Sequence, residues 1–187
     1  MLFTKDKKTL VCVQPKIDKL TIPSCVKTVG EGAMSNSYVK NVYIPKSVTL
    51  IENESFNGSK IQSITISKDN KRYGIANNCV YSKKTKRAVV LLTKKGNVTL
   101  PSQVYYLKDN LSIAGDKIKT LTIPSTFKEF KSKWYENSRS RWTIMNVIFK
   151  SKTPPDAEKE SLPYGGIFIV PKGCKEKYEE WYVESYK

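Results

Sequence analysis

An α/β solenoid is the fold the sequence predicts: short strands and tight turns stacked in layers, interrupted by β-hairpin insertions and closed by a C-terminal helical cap. Three observations predict it. A strand-like frame recurs at 22-residue steps, a hairpin-like stretch recurs 78 residues further on, and aromatics near the C-terminal end fall at helical spacing. A chain of 187 residues buries roughly 70% of its unfolded surface. Its core therefore needs neither disulfide nor metal.

The repeat is read first because it decides the architecture. Ile17-Asp18-Lys19-Leu20-Thr21-Ile22-Pro23, Val39-Lys40-Asn41-Val42-Tyr43-Ile44-Pro45 and Ile61-Gln62-Ser63-Ile64-Thr65-Ile66-Ser67 superimpose at steps of 22. The frame returns at Val98-Thr99-Leu100-Pro101, at Ile118 to Pro124, at Ile144 to Phe149 and, more weakly, at Phe168-Ile169-Val170-Pro171. Each full copy reads apolar-x-x-apolar-x-apolar, and the alternation suits a strand with one buried face. Proline cannot donate to a ladder and ends the strand. Between strands, Val26, Val29 and Met34 find counterparts at Val48, Ile51 and Phe56, again 22 apart. One unit cannot cover its own apolar edge, so units stack.

These residues resemble the bacterial BspA-like (Treponema-type) leucine-rich repeat, whose unit runs I-P-x-S-V-x-x-I-x-x-x-A/S-F-x-x-C/S and then x-V-x-x-V-x-I-P. The resemblance spans nearly the whole chain and implies a leucine-rich-repeat solenoid. Ser37, Ser59 and Ser138 stand where the family often has cysteine, and Lys95 stands where an apolar strand start is due.

Two hairpins and a cap complete the plan. Leu2 to Val13 and Val80 to Leu91 both place short apolar strands around a charged turn, 78 residues apart, as are Pro23 and Pro101. Pro155-Asp156-Ala157-Glu158 can start a short helix, Ile167 to Pro171 reads as a strand, and Cys174 to Tyr186 as an amphipathic helix carrying Tyr178, Trp181, Tyr182 and Ser185. The predicted organisation is one domain over 1–187: a hairpin at 1–15, repeats at 16–67, a hairpin insertion at 68–95, repeats at 96–152 and a cap at 153–187.

Charge narrows the function. The net charge is +16, histidine is absent and cysteines number four. Without histidine there is no His-based acid–base pair, triad or metal site. Cys12, Cys25, Cys79 and Cys174 form no C-x-x-C pair and read as plain thiols. No apolar run nears the about 18 residues of a membrane span, so membrane insertion is not expected. The first eight residues carry charge where a secretory leader needs its apolar stretch; the chain reads as cytoplasmic or as a mature piece of a secreted protein. Residues 68–95 hold a net +8. Such concentration is a footprint for polyanions, but only four of the 33 basic residues are arginines, which argues against base-specific DNA reading.

Two candidate surfaces emerge. If the strands form one ladder, outward columns run through Lys19, Asn41, Ser63, Asn97, Thr120 and Asn146, and through Thr21, Tyr43, Thr65, Thr99, Thr122 and Ile148. The resemblance implies partner binding across this sheet, although small polar residues are also good exposed strand formers; Tyr43, an aromatic with a hydroxyl among threonines, is the prime candidate contact by its own chemistry. The second surface is the basic one: Lys83, Lys84, Lys86, Arg87, Lys94 and Lys95, joined by Arg139 and Arg141 near Trp134, Tyr135 and Trp142. That interleaving fits stacking plus phosphate or sulfate contact, and equally fits core aromatics beside surface charge. No catalytic residues, cofactor or metal are expected; the acidic residues from Asp156 to Glu184 read as a solvated face. The expected function is a non-catalytic recognition or adhesion module binding protein or glycan, placed at a bacterial cell surface by the resemblance. A polyanion-binding protein and a structural spacer are the alternatives.

Overall fold

Each coil begins with the alternating frame, and the computed structural model shows what that frame builds; it describes residues 1–14, 17–93, 95–115, 118–130, 146–159, 161–162 and 166–185. The alternation lays down a strand of three or four residues. The proline ends it, and its carbonyl accepts the amide three residues on. This turn recurs from Val26 to Pro23 (3.0 Å), Val48 to Pro45 (3.3 Å), Val104 to Pro101 (2.9 Å), Phe127 to Pro124 (3.1 Å) and Cys174 to Pro171 (3.1 Å). The residue closing the turn is buried every time.

In chain order the elements are β1 (Leu2–Phe3), β2 (Thr9–Cys12), β3 (Lys19–Thr21), β4 (Thr28–Val29), β5 (Asn41–Ile44), β6 (Leu50–Ile51), β7 (Ser63–Ile66), β8 (Tyr73–Ala76), β9 (Cys79–Ser82), β10 (Arg87–Thr93), β11 (Asn97–Thr99), β12 (Tyr106–Gly115), β13 (Thr120–Ile123), β14 (Glu129–Phe130), β15 (Asn146–Phe149), β16 (Asp156–Ala157), β17 (Ile167–Ile169) and α1 (Lys175–Glu184). The frame strands form two parallel sheets, β3-β5-β7 and β11-β13-β15-β17. Leu20, Val42 and Ile64 stand side by side as rungs in the first, and Val98, Leu121, Val147 and Phe168 in the second. Across the turn, β2, β4 and β6 run parallel with β1 antiparallel on the outside; further along, β10, β12, β14 and β16 run parallel with β9 and β8 antiparallel.

The single ladder expected from the sequence is two ladders. β7 and β11 belong to separate sheets because β8 packs against β7 and β10 against β11. The inserted unit is itself a three-stranded meander, one strand more than the expected hairpin. Its extra turn is Asn77-Asn78, both left-handed (φ 47° and 59°), the backbone that a two-residue hairpin requires. The parts of the solenoid join on the third side of the coil, where Gly58 donates to Ile113 (3.1 Å), Gly115 donates to Ser59 (2.9 Å) and the Ile113 amide donates to Asn57 Oδ1 (2.9 Å). On that side the left-handed positions also repeat, Gly32 with Glu54 and Asn36 with Gly58.

The 78-residue recurrence is written into the hydrogen-bond register. Leu2 pairs with Cys12 and Phe3 with Leu10, with a bulge between; Val80 pairs with Val90 and Tyr81 with Ala88, with the same bulge. Thr9 and Leu10 then face Thr28 and Val29, as Arg87 and Ala88 face Tyr106 and Leu107.

Entry to the meander depends on Asn70, which occupies the position held by Val26 and Val48 in earlier coils. It is fully buried. Its amide donates to the carbonyls of Pro45 (2.9 Å) and Val48 (3.1 Å), and its Oδ1 accepts from Arg72 and Tyr73 (2.9 Å each). The Tyr73 hydroxyl then accepts the Ile51 amide at 2.9 Å, so a side chain terminates the β6 edge where the next strand would have paired.

Among the described residues, apolar side chains form two clusters, one over the first coils and one over the later coils and cap. β10 feeds both: Val89, Val90 and Leu92 enter the first, and Ala88 and Leu91 the second. At the C-terminal end, Tyr178 of α1 is buried and its hydroxyl donates to the Ser151 carbonyl at 3.0 Å. Phe149, Phe168, Tyr178 and Trp181 pack with ring centroids 5.0–6.2 Å apart. Asp156–Ala157 is a strand beside β14, not the helix start expected from the sequence; parallel pairing with the ladder captures it.

Restoring the repeat at position 70 should harm the fold. Asn70→Val matches Val26 and Val48 but strands two carbonyls and two amides, so chemical denaturation should show a loss of about 2–4 kcal/mol; unchanged stability would refute the hub. Stability should also fall in alkali. Burial raises the Cys79 thiol above its ordinary 9.0, and raises Tyr178 from 10.0 to about 12 and Tyr73 above 10.0. Acids held neutral by folding contribute stability below their unfolded pKa and lose it as pH climbs towards the folded one. The melting temperature should therefore hold to about pH 8 and decline beyond about pH 9, and Cys79→Val should remove the earliest part of the decline.

Candidate recognition surfaces

The frame strands turn their non-core positions outward in two sets of columns. In the first sheet Lys19, Asn41 and Ser63 adjoin, as do Thr21, Tyr43 and Thr65; in the second, Asn97 adjoins Thr120 and Thr99 adjoins Thr122. Ser63 Oγ donates to Asn41 Oδ1 at 2.6 Å, linking neighbouring coils. Lys19, Thr21, Tyr43, Ser63, Thr65, Asn97 and Thr99 are exposed, whereas Asn41, Thr120 and Thr122 are half-buried. Tyr43 stands 38% exposed with threonines on both sides. An open phenol on a rigid strand offers an apolar ring and a hydrogen-bonding tip at small entropic cost. The columns do not run unbroken: the register that joins Tyr43 to Thr65 does not continue to Thr99.

The basic residues are partly dispersed. Lys83 and Lys84 are exposed in the turn between β9 and β10, and Lys83 Nζ donates to the Asn70 carbonyl at 2.7 Å. Lys86 and Arg87, expected to project at that tip, are half-buried. The reason is the ladder: the Lys86 carbonyl accepts the amides of Tyr105 (2.8 Å) and Tyr106 (3.3 Å), and Arg87 pairs with Tyr106. Lys95 lies at the opposite end of β10, about 20 Å from the turn at strand rise. Lys94, Arg139 and Arg141, with Trp134, Tyr135 and Trp142, lie outside the described residues.

Sequence reasoning missed the basic corner at the other copy of this turn. The Lys8 carbonyl accepts the Lys27 amide at 2.8 Å and the Thr28 amide at 3.0 Å, so two exposed lysines sit on adjacent rungs. Lys86, Tyr105 and Lys128 are linked in the same way, Tyr105 donating to Lys86 and Lys128 to Tyr105 (2.9 Å). The signal was available: Lys8 and Lys86 are 78 apart. Next to Lys8, Asp6 accepts from Thr4 Oγ1 (2.6 Å) and from the Lys8 amide (3.0 Å), which holds its carboxyl below the usual range.

At the cap, a cleft of about 500 Å³ lies between β17 and α1, lined by Phe168, Val170, Tyr178, Tyr182 and Val183, with the Lys175–Glu179 ion pair (3.5 Å) on its rim. All four cysteines are free thiols; Cys79 and Cys174 are buried, while Cys12 and Cys25 are exposed. Among the described residues no three carboxylates or thiols cluster as a metal site, and no helix is long and apolar enough to cross a membrane.

A family model described as the BspA type leucine rich repeat region matches residues 11–141 in six copies. No curated protein matches the chain. Solved structures similar to it include the pneumococcal vaccine antigen PcpA (11% identity, 88% of this chain and 65% of that one, TM-score 0.43). A leucine rich cell surface protein from Faecalibacterium prausnitzii A2-165 also matches (12%, 89% and 63%, TM-score 0.47). A leucine-rich repeat protein from Eubacterium ventriosum ATCC 27560 is similar too (18%, 74% and 56%, TM-score 0.36). The chain thus spans 56–65% of the length of these structures. With its rungs in register at 22-residue steps and the family's unit repeated through residues 11–141, the chain belongs to the BspA-type leucine-rich-repeat family.

Proposed function

We propose that this protein is a non-catalytic recognition module of a bacterial cell surface, binding a protein or glycan across its frame-strand sheets. The observation that carries the reading is the column Thr21–Tyr43–Thr65: a solvent-facing aromatic fixed by parallel pairing on both sides. Short hydroxyl and amide side chains around it suit hydrogen bonding to sugar hydroxyls or peptide groups, and their rigid placement lowers the entropy lost on binding. On a glycan array and a panel of extracellular-matrix proteins, the folded protein should give at least one saturable ligand. Tyr43→Ala should weaken that ligand at least about tenfold and leave the melting temperature in place. Absence of any saturable binding would defeat the reading.

A second reading is electrostatic, and the stacked pair Lys8–Lys27 together with exposed Lys83 and Lys84 favours it. A polyanion spanning these corners would be held by counterion release, each contact to duplex DNA adding roughly −0.9 to the log–log salt slope. The protein should then stay on a heparin column above physiological salt, and Lys27→Glu with Lys84→Glu should bring elution clearly forward. Elution of the unmodified protein below physiological salt would remove this alternative.

A further inference from the structure

Among the described residues only two aromatic side chains are exposed, and both lie on one coil: Tyr38, 62% exposed, and Tyr43, 38%. Tyr38 stands just ahead of β5, at the corner where the coil enters its frame strand, and the ladder reaches back to it. The Lys40 amide donates to the Asp18 carbonyl (2.9 Å), the Gln62 amide to the Lys40 carbonyl (2.7 Å) and the Lys60 amide to the Ser37 carbonyl (2.9 Å). The following coil therefore holds this one from Ser37 to Ile44. Lys60 is one rung from Tyr38, as Thr65 is one rung from Tyr43. Along the extended chain the two tyrosines are at most about 17 Å apart.

Two properties of this stretch choose a ligand. Its apolar surface comes as two separate rings with polar side chains between them: Asn41 on the same strand, and Gln62 and Ser63 on the next coil. The exposed aliphatic side chains lie elsewhere, at Met1 and on β1, β2, β6, β17 and α1, so the rings have no apolar surround of the kind that forms the core of a protein interface. A sugar chain matches the alternation, with C–H faces for the rings and hydroxyls for the amides between. The second property is charge. Lys19, Lys40 and Lys60 stand here against one carboxylate, Asp18, a net +2. Asp18 pairs with Lys40 at 3.5 Å. Lys19 and Lys60 are exposed and have no ion-pair partner among the described residues. We infer that this coil binds an acidic oligosaccharide, a short chain of carboxylated pyranoses lying from Tyr38 to Tyr43 with a carboxylate on Lys60. The inference rests on the frame-strand reading of the function and narrows its ligand.

The test presents the whole folded protein with oligosaccharides containing uronic or sialic acids, each beside its carboxyl-reduced counterpart, and with the panel of extracellular-matrix proteins. A carboxylated glycan should bind saturably. Tyr38→Ala and Tyr43→Ala should each weaken it about tenfold, with the melting temperature in place. Lys60→Gln should weaken the carboxylated glycan by about tenfold and leave its reduced counterpart unaffected. Lys152→Gln, which removes the same charge from an exposed site elsewhere, should change nothing. A saturable ligand that is neutral, or that is a protein, overturns the inference and leaves the broader recognition reading standing. Indifference of a carboxylated ligand to Tyr38→Ala, or equal weakening by Lys60→Gln and Lys152→Gln, overturns it as well. No saturable ligand of any kind overturns both.

Discussion

No coil in this protein can bury its own apolar edge, and every other feature follows from that incompleteness. Leu20 needs Val42 and Val42 needs Ile64; Val98, Leu121, Val147 and Phe168 depend on one another in the same way. A fully buried side chain of this size is worth roughly 1.5–3 kcal/mol, so a gap in the stack is costly. An insertion is tolerated only if it presents apolar surface both up and down. β10 does so, because Val90 and Leu92 enter one cluster and Ala88 and Leu91 the other. Its run of consecutive apolar residues marks a strand covered on both faces.

Much of this was legible in the sequence, since periodicity reports burial directly. The 22-residue rungs, the strand ends at proline and the 78-residue echo all appear in the registers. Polar groups that act inside the core were less visible. Asn70 looks like a lapse in the repeat until its four hydrogen bonds are seen, because periodicity counts apolar residues and cannot count buried amides. β8 escaped for a related reason: Tyr-Gly-Ile-Ala is short, and its glycine reads as a breaker until the Tyr81 ring beside it is known. Asp156–Ala157 went wrong because local propensity favoured a helix start while a partner 27 residues earlier in the chain, β14, offered a ladder.

The candidate surfaces were readable in part. Alternation alone places Lys19, Thr21, Asn41 and Tyr43 outward, but it could not show that the columns stop at Thr65. Charge counting found the lysine-rich segment without revealing that Lys86 and Arg87 are drawn into the ladder with Tyr105 and Tyr106. What results is a division of labour by side of the coil: hydroxyls and amides face outward on the frame strands, and lysines gather at the corners where the second strands begin.

The link through Gly58, Ser59, Asn57 and β12 has a mechanical meaning. Pulled along its axis, a stack of coils shares the load among its parallel ladders, but between β7 and β11 the frame-strand ladder is interrupted. There the tension passes through the meander, acting as a shim, and through this short seam. Extension would open the spring at that joint before stripping any coil, which would make the seam a built-in fuse.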